Sequence, residues 1–256
     1  MTIDVSTFIG SYPFRRVPNP SVDSLIRHMD RVGVERAWVG HLPSAFENDP
    51  APGNQELADA VRVYPDRLMA VHTVKPSLPD VLHDLDRTQS DGRSAVRVYP
   101  LQHGLAPTGP EMHAFVGVAG ERRIPIILTV RFEDVRQRHP SDVAGDLPPS
   151  AVRTLIRAHP NVQLLVTHAS RDFIEEVYFG STESESARIL WDICWIWGPP
   201  FDDLQTLVQT IGAERFVFGS CFPLRIMDAP VAKLDLTNLQ PDQRRKIESG
   251  NLERWM

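Results

Sequence analysis

The chain reads as an α/β protein of one domain over residues 1–256, a (β/α)8 TIM barrel. Three observations predict that class. One local phrase, a helix end followed by a breaker and a short apolar strand, occurs five times: VGVERAWVG (32–40), YPDRLMAVH (64–72), RRIPIILTV (122–130), HPNVQLLVT (159–167) and IGAERFVFG (211–219). The apolar runs do not alternate strictly with polar residues, as expected of parallel strands buried on both faces. Eight such segments in a chain of 256 residues also match the size of an eight-unit barrel. A doubly wound open sheet is the alternative, but no Gly-x-Gly-x-x-Gly follows any predicted strand.

Taken in order, the first strand is IDVSTF (3–8). SVDSLIRHMDRVG (21–33) then starts with Ser21 as an N-cap and gathers Val22, Leu25, Ile26 and Met29 on one helical face. Gly33 ends that helix, and the second strand runs to residue 40. The Pro-rich stretch 42–53 reads as a loop. NQELADAVRVYP (54–65) is a helix closed by Pro65, with the third strand behind it. The fourth strand lies at 94–99 and leads into a second Pro-rich loop, 99–110. After the fifth strand a third loop spans 140–149, before the helix PPSAVRTLIRAHP (148–160) and the sixth strand. The seventh strand is placed at 187–196, the helix FDDLQTLVQTIG at 201–212, and the eighth strand ends near 219. Long βα loops are where a barrel assembles its working face.

With 33 acidic against 27 basic residues the net charge is −6, which argues against nucleic acid and anionic membrane as partners. No apolar run approaches the ~20 residues of a bilayer span, and MTIDVSTFIG lacks the basic-then-apolar pattern of a signal peptide. Two cysteines, Cys194 and Cys221, make neither a disulfide framework nor a Cys-x-x-Cys motif. The expectation is a cytoplasmic protein with a small-molecule ligand, and a homodimer if it assembles at all.

Reading the C-terminal strand ends in order gives Ser6 and Phe8, His41, His72, Tyr99, Thr129 with Arg131, His168, Trp195, and Cys221. These ends line the mouth of a barrel. His168 suits proton transfer near neutral pH. In the loop after the fifth strand, Arg131 or Arg136 has the planar geometry that holds a carboxylate, and Asp134 would orient an Arg or a His or act as a base. Arg15 is a second anion anchor. Tyr99 and His103, in VYPLQHG, are placed to meet a substrate carbonyl. Trp191, Trp195 and Trp197 alternate by two and are expected to share one face, with Trp195 lining a pocket. Cys221 is a nucleophile if its thiol ionises. Phe218 and Phe222 flank it with apolar bulk, which favours an uncharged pocket wall.

Four of these pieces resemble the amidohydrolase superfamily in its amidohydrolase-related (amidohydrolase 2) branch. They are the opening IDVSTFIG, the Pro-Asp-Arg at 65–67, VTHAS at 166–170, and the Gly-Ser-x-x-Pro at 219–223, and the likeness runs on to the closing SGNLERWM. The resemblance implies a barrel that hydrolyses amides, esters or lactones, or decarboxylates or hydrates small acids, mostly with a divalent metal. Its usual ligands are His-x-His on strand 1, histidines on strands 5 and 6, and an Asp on strand 8. Those positions fall here on Ser6, Phe8, Thr129, His168 and Cys221, so His168 alone is kept, and zinc needs at least three protein ligands. The expectation is therefore a divergent, metal-independent enzyme without a cofactor, hydrolysing, eliminating or decarboxylating a small carbonyl- or carboxylate-bearing substrate. The alternatives are a zinc hydrolase with a relocated site drawn from His41, His72, His168 and Cys221, and an inactive barrel kept for binding or regulation.

Overall fold

The computed structural model describes residues 1–90 and 95–255. Its strands are β1 (Ile3–Ile9), β2 (Arg36–His41), β3 (Leu68–Ala70), β4 (His72–Thr73), β5 (Val96–Val98), β6 (Ile126–Thr129), β7 (Leu164–Thr167), β8 (Ile189–Asp192) and β9 (Phe216–Val217). All recorded pairings are parallel, in the orders β1-β2-β3 and β4-β5-β6-β7-β8-β9. β3 and β4 are the two halves of the expected third strand, interrupted at Val71, whose N–H still donates to the Val39 carbonyl at 2.8 Å. The other join is made by Val5 N–H to Phe218 O (3.0 Å), Cys221 N–H to Ser6 O (2.7 Å) and Phe8 N–H to Phe222 O (2.7 Å). The barrel is thus two ladders stitched by separate hydrogen bonds.

Helices follow the strands: α1 (Val22–Val32), α2 (Ala51–Val61), α3 (Val81–Ser90), α4 (Pro110–Glu121), α5 (Pro149–Ala158), α6 (Arg171–Phe179), α7 (Glu183–Ser186), α8 (Asp203–Ile211) and α9 (Asp228–Leu236). The Ser21 hydroxyl accepts from Ser24 N–H, and Gly33 closes α1 at φ 80°, a left-handed turn that glycine takes without strain. α2 begins earlier than the loop at 42–53 would allow, because a proline in the first helical turn costs no hydrogen bond. No helix among the described residues is long and apolar enough to cross a membrane.

Three packed zones result. Between strands and helices lie Leu25, Met29, Leu57, Val116, Leu155 and Leu207 against Val39, Val98, Leu128 and Val166. Inside the lower barrel are Ile3, Val5, Trp38, Val71, Ala95, Ile127, Leu165, Leu190 and Val217. The mouth holds Phe8, Tyr12, Tyr99, Phe132, Cys194, Trp195 and Cys221. The three tryptophans do not share a face. β8 stops at Asp192, so Trp191 packs toward the helices, Trp195 enters the mouth, and Trp197 is 53% exposed.

One irregularity decides where β1 points. Its register with β2 shifts between Asp4 and Thr7, giving β1 one extra residue. Such a bulge puts neighbouring side chains on one side of a strand. Val5 and Ser6 therefore both face inward, and Phe8 follows Ser6 into the mouth.

Candidate active site

His168 follows the last residue of β7 and is fully buried in a left-handed conformation, φ 63°. That conformation is costly for a residue with a Cβ, and it is held from three sides. The backbone N–H of His168 donates to Asp192 Oδ1 at 2.9 Å. Its Nδ1 lies 2.6 Å from the Arg131 carbonyl oxygen, and its Nε2 lies 2.8 Å from Ser6 Oγ. A carbonyl can only accept, so Nδ1 carries a proton. Nε2 is then the position that gains or loses one, accepting from the Ser6 hydroxyl when bare and donating to it when protonated.

Cys221 stands four residues beyond β9 in the same strained conformation, φ 60°. Its Sγ is 3.8 Å from His168 Nδ1. The Cys194 thiol donates to Asp192 Oδ2 at 3.2 Å, so Asp192 anchors both the His168 backbone and the second thiol. Gly219 makes room for that carboxylate, since a Cβ there would stand 2.7 Å from the Asp192 Cβ. Burial alone pushes the Cys221 thiol up, but the Cys194 thiol, the His168 imidazole and the Arg225 guanidinium outweigh it and hold Cys221 well below the ordinary thiol range. Burial pushes His168 down, and Cys221 and Asp192 carry it above its ordinary value. Cys194 moves the opposite way to Cys221, raised by burial and by its acidic neighbours. The imidazole and the thiol are thus each pulled toward the charged form by the other.

The apolar bulk that the sequence places around the Cys221 thiol is not there. Phe218 and Phe222 pack toward the helices, Phe222 against His28, and not around the thiol. Cys221 belongs instead to the mouth cluster, with Trp195 and Tyr99.

The other sequence candidates divide. Trp195 stacks on the imidazole at 6.5 Å and 27°, with the Arg225 guanidinium 3.8 Å and that of Arg131 5.5 Å from the indole. The Arg131 side chain lies 3.2 Å from Asp146. Arg15 donates to Glu133 at 2.8 Å and to the Leu224 carbonyl at 3.0 Å, tying loops together rather than offering a free cation. Asp134 is not brought to His168; its carboxylate chelates the exposed Arg136 at 2.8 and 3.0 Å, which holds it well below the usual carboxylate range and makes it a poor base. Tyr99 is buried beside His103, whose Nε2 lies 3.1 Å from the Ser44 carbonyl. His41 is engaged by Ser44 Oγ at 2.8 Å and by Glu56 at 3.6 Å, away from the thiols.

Three residues escaped sequence reasoning. Asp192 and Cys194 were hidden because apolar residues continue past Asp192, where the strand ends. Arg97 was visible as a lone charge inside the apolar strand 94–99. The site is closed over by Tyr12, Phe14, Phe46 and Phe132, with ring centroids 5.1–6.1 Å apart. One open cleft lies away from it, lined by Asp30, Arg36 and Arg67.

The residues present do not fit the family's usual metal. Phe8 offers no donor, and its ring packs against the Arg97 guanidinium at 4.7 Å and Phe132 at 6.2 Å. Thr129 Oγ1 is hydrogen-bonded to Thr167 Oγ1 at 3.0 Å. The donors that do converge are His168, Cys194 and Cys221, whose ligand atoms lie within 4.8 Å of one another.

A family model described as amidohydrolase matches residues 50–255. The match leaves out residues 1–49, where Ser6 and Phe8 stand. No curated protein matches the chain. Among solved structures, the chain is similar to a dihydroxybenzoic acid decarboxylase from Polaromonas with bound manganese and the inhibitor 2-nitroresorcinol (14% identity, TM-score 0.73, covering 99% of this chain and 96% of that one). It is similar to 5-carboxyvanillate decarboxylase from Sphingomonas paucimobilis (13%, 0.73, 99% and 98%). A third is a probable 2-pyrone-4,6-dicarboxylic acid hydrolase from Acinetobacter baumannii with citric acid bound (14%, 0.68, 99% and 98%). At these identities the likeness is one of fold.

Proposed function

Since this chain belongs to the amidohydrolase family and is an enzyme of hydrolase or lyase type, we propose that it acts on a small carbonyl- or carboxylate-bearing substrate by proton transfer at His168, with no step through the family's metal. The observation that carries this reading is the clamped imidazole. One proton is fixed at Nδ1 by the Arg131 carbonyl at 2.6 Å, and one is movable at Nε2, 2.8 Å from Ser6 Oγ. An imidazole so held has its tautomer and orientation set before substrate arrives. Nε2–H protonates a leaving group or a ring carbon that is losing a carboxylate; bare Nε2 takes a proton from water attacking a carbonyl. Ser6 holds that proton in line, and the Cys221 thiolate balances the imidazolium. The aromatic cover excludes water and strengthens these interactions. The names of all three similar structures describe enzymes of small acids, which agrees with a carboxylate-bearing substrate.

The test is a panel of aromatic carboxylates and small lactones, followed by carbon dioxide release and acid production. His168→Ala should lower turnover by ~10²–10⁴-fold, the usual share of a positioned acid–base group, with Ser6→Ala lowering it less. Unchanged turnover in His168→Ala would end this reading.

A second reading rests on the His168–Cys194–Cys221 cluster, a nitrogen and sulfur set of the kind that binds zinc. It uses Cys194 where the sequence pointed to His41 and His72. Elemental analysis of protein purified without added metal separates the two: about one zinc per chain for this reading, and substoichiometric metal for the first.

A further inference from the structure

We infer that Arg97, with Tyr99 and Thr73, forms a buried carboxylate-binding site inside the barrel beside the His168–Cys221 pair. The inference assigns the substrate's anionic group and rests on the proposed function only for where the chemistry happens.

Arg97 lies in the middle of β5 and is fully buried. Its Nη2 donates to the Val5 carbonyl at 3.1 Å, while Nε and Nη1 are buried without a hydrogen-bond partner. Among the described residues no carboxylate pairs with it. Arg15, Arg131 and Arg136, the arginines that the sequence nominated, already have acidic partners at 2.8, 3.2 and 2.8 Å. The Tyr99 and Thr73 hydroxyls are likewise buried and unpartnered. Burial pushes the Tyr99 phenol up to about 12, and Arg97 and Thr73 are near enough to pull against that push. Cys221 also acts on this phenol and shares the mouth cluster with it.

The donor count selects the ligand. A guanidinium does not give up its proton inside a protein, and an unpaired buried charge is strongly unfavourable. No carboxylate faces the guanidinium, and the Tyr99 and Thr73 hydroxyls beside it can share hydrogen bonds with it but cannot neutralise it. A cation is repelled, and water alone satisfies the hydrogen bonds while leaving the charge. A carboxylate supplies two planar acceptor oxygens and the opposite charge. The Phe8 ring covers one face of the guanidinium at 4.7 Å, which suits a flat ligand. Gly40 keeps the neighbouring wall bare; a Cβ there would stand 3.1 Å from Phe8 and 3.7 Å from Arg97 Nε.

The experiment follows melting temperature and titration heat with sodium benzoate and sodium formate, using benzamide as the neutral control. Wild type should show saturable stabilisation by both carboxylates and none by benzamide. Arg97→Met should bind at least about tenfold more weakly, as expected for loss of a charged hydrogen-bonding group, and melt no lower than wild type without ligand. Tyr99→Phe should weaken binding several-fold. No saturable response in wild type, or equal affinity in Arg97→Met, overturns the site. If Arg97→Met does not fold, an unchanged affinity in Tyr99→Phe overturns it. Intact carboxylate binding in a protein whose His168 variants turn over the panel normally would sink the catalytic reading and leave this site standing.

Discussion

The lower and upper halves of this barrel are built on the same strands and are buried alike, yet their chemistry is opposite. Inward positions of the lower half are Val71, Ala95, Ile127, Leu165, Leu190 and Val217. Two residues further along the same strands stand Thr73, Arg97, Thr129, Thr167, Asp192 and Gly219, and the first five are as buried as the apolar layer. The lower layer needs only packing to be stable. In the upper layer, Arg97, Thr73, Tyr99 and the Trp195 indole keep polar atoms without partners. Along these six strands burial therefore does not separate core from site, whereas polar atoms without partners gather in the upper layer. A fold that is stable from below can carry a costly, incompletely satisfied layer above.

That contrast can be broken most sharply by Leu165→Ala in the lower layer. Deleting a fully buried side chain should cost about 2–5 kcal/mol in urea unfolding, with surviving folded protein keeping its His168 environment. A loss below ~1 kcal/mol would mean that the lower layer is not the stabilising one.

Asp4 is the next test, because it is a fully buried acid on the bulged strand. Its Oδ1 accepts from Ser6 N–H and Ser220 N–H, both at 3.0 Å, while Oδ2 has no partner. Burial raises its pKa to about 6, against 3.8 in the ordinary range. The folded state then holds a proton that the unfolded state releases, so stability falls as pH rises from the unfolded value through about 6. The span corresponds to roughly 2–3 kcal/mol. Asp4→Asn keeps an acceptor for both N–H groups and should flatten that part of the stability–pH curve. An unchanged slope would show that another group titrates there.

The smallest effect belongs to the loop after β6. Asp134 and Arg136 pair at the surface, where ion pairs contribute about 0–1 kcal/mol. Asp134→Asn should change stability by less than about 0.5 kcal/mol and leave turnover within twofold (an order-of-magnitude expectation for a surface change). A large loss of turnover would restore Asp134 to the site.

Much of the fold was legible because helix breakers stand directly before apolar runs, as at Gly33, Pro160 and Gly212. The interruption at Val71 was not, since Leu-Met-Ala-Val-His reads as one continuous strand. His168 was legible through VTHAS at a strand end. Its partners were less so, for three physical reasons. Ser6 meets it only because a bulge breaks the alternation of β1. Cys194 and Asp192 depend on where β8 stops, which the continued apolar residues after Asp192 conceal. Phe218 and Phe222 adjoin Cys221 in sequence, but the turn sends them outward and the thiol inward. The downward pull on the Cys221 thiol comes from two other segments, through His168 and Cys194, and from Arg225 in its own turn.

The central claim is that His168 keeps one proton fixed and moves the other. Long-range proton–nitrogen NMR on histidine-labelled protein reads both ring nitrogens directly. The account predicts a His168 ring protonated at Nδ1 from roughly pH 6 to 9, with Nε2 alone titrating and its midpoint falling in Cys221→Ser as the opposing thiolate is removed. A His168 ring whose Nδ1 is bare anywhere in that range, or whose Nε2 midpoint ignores Cys221→Ser, would contradict it.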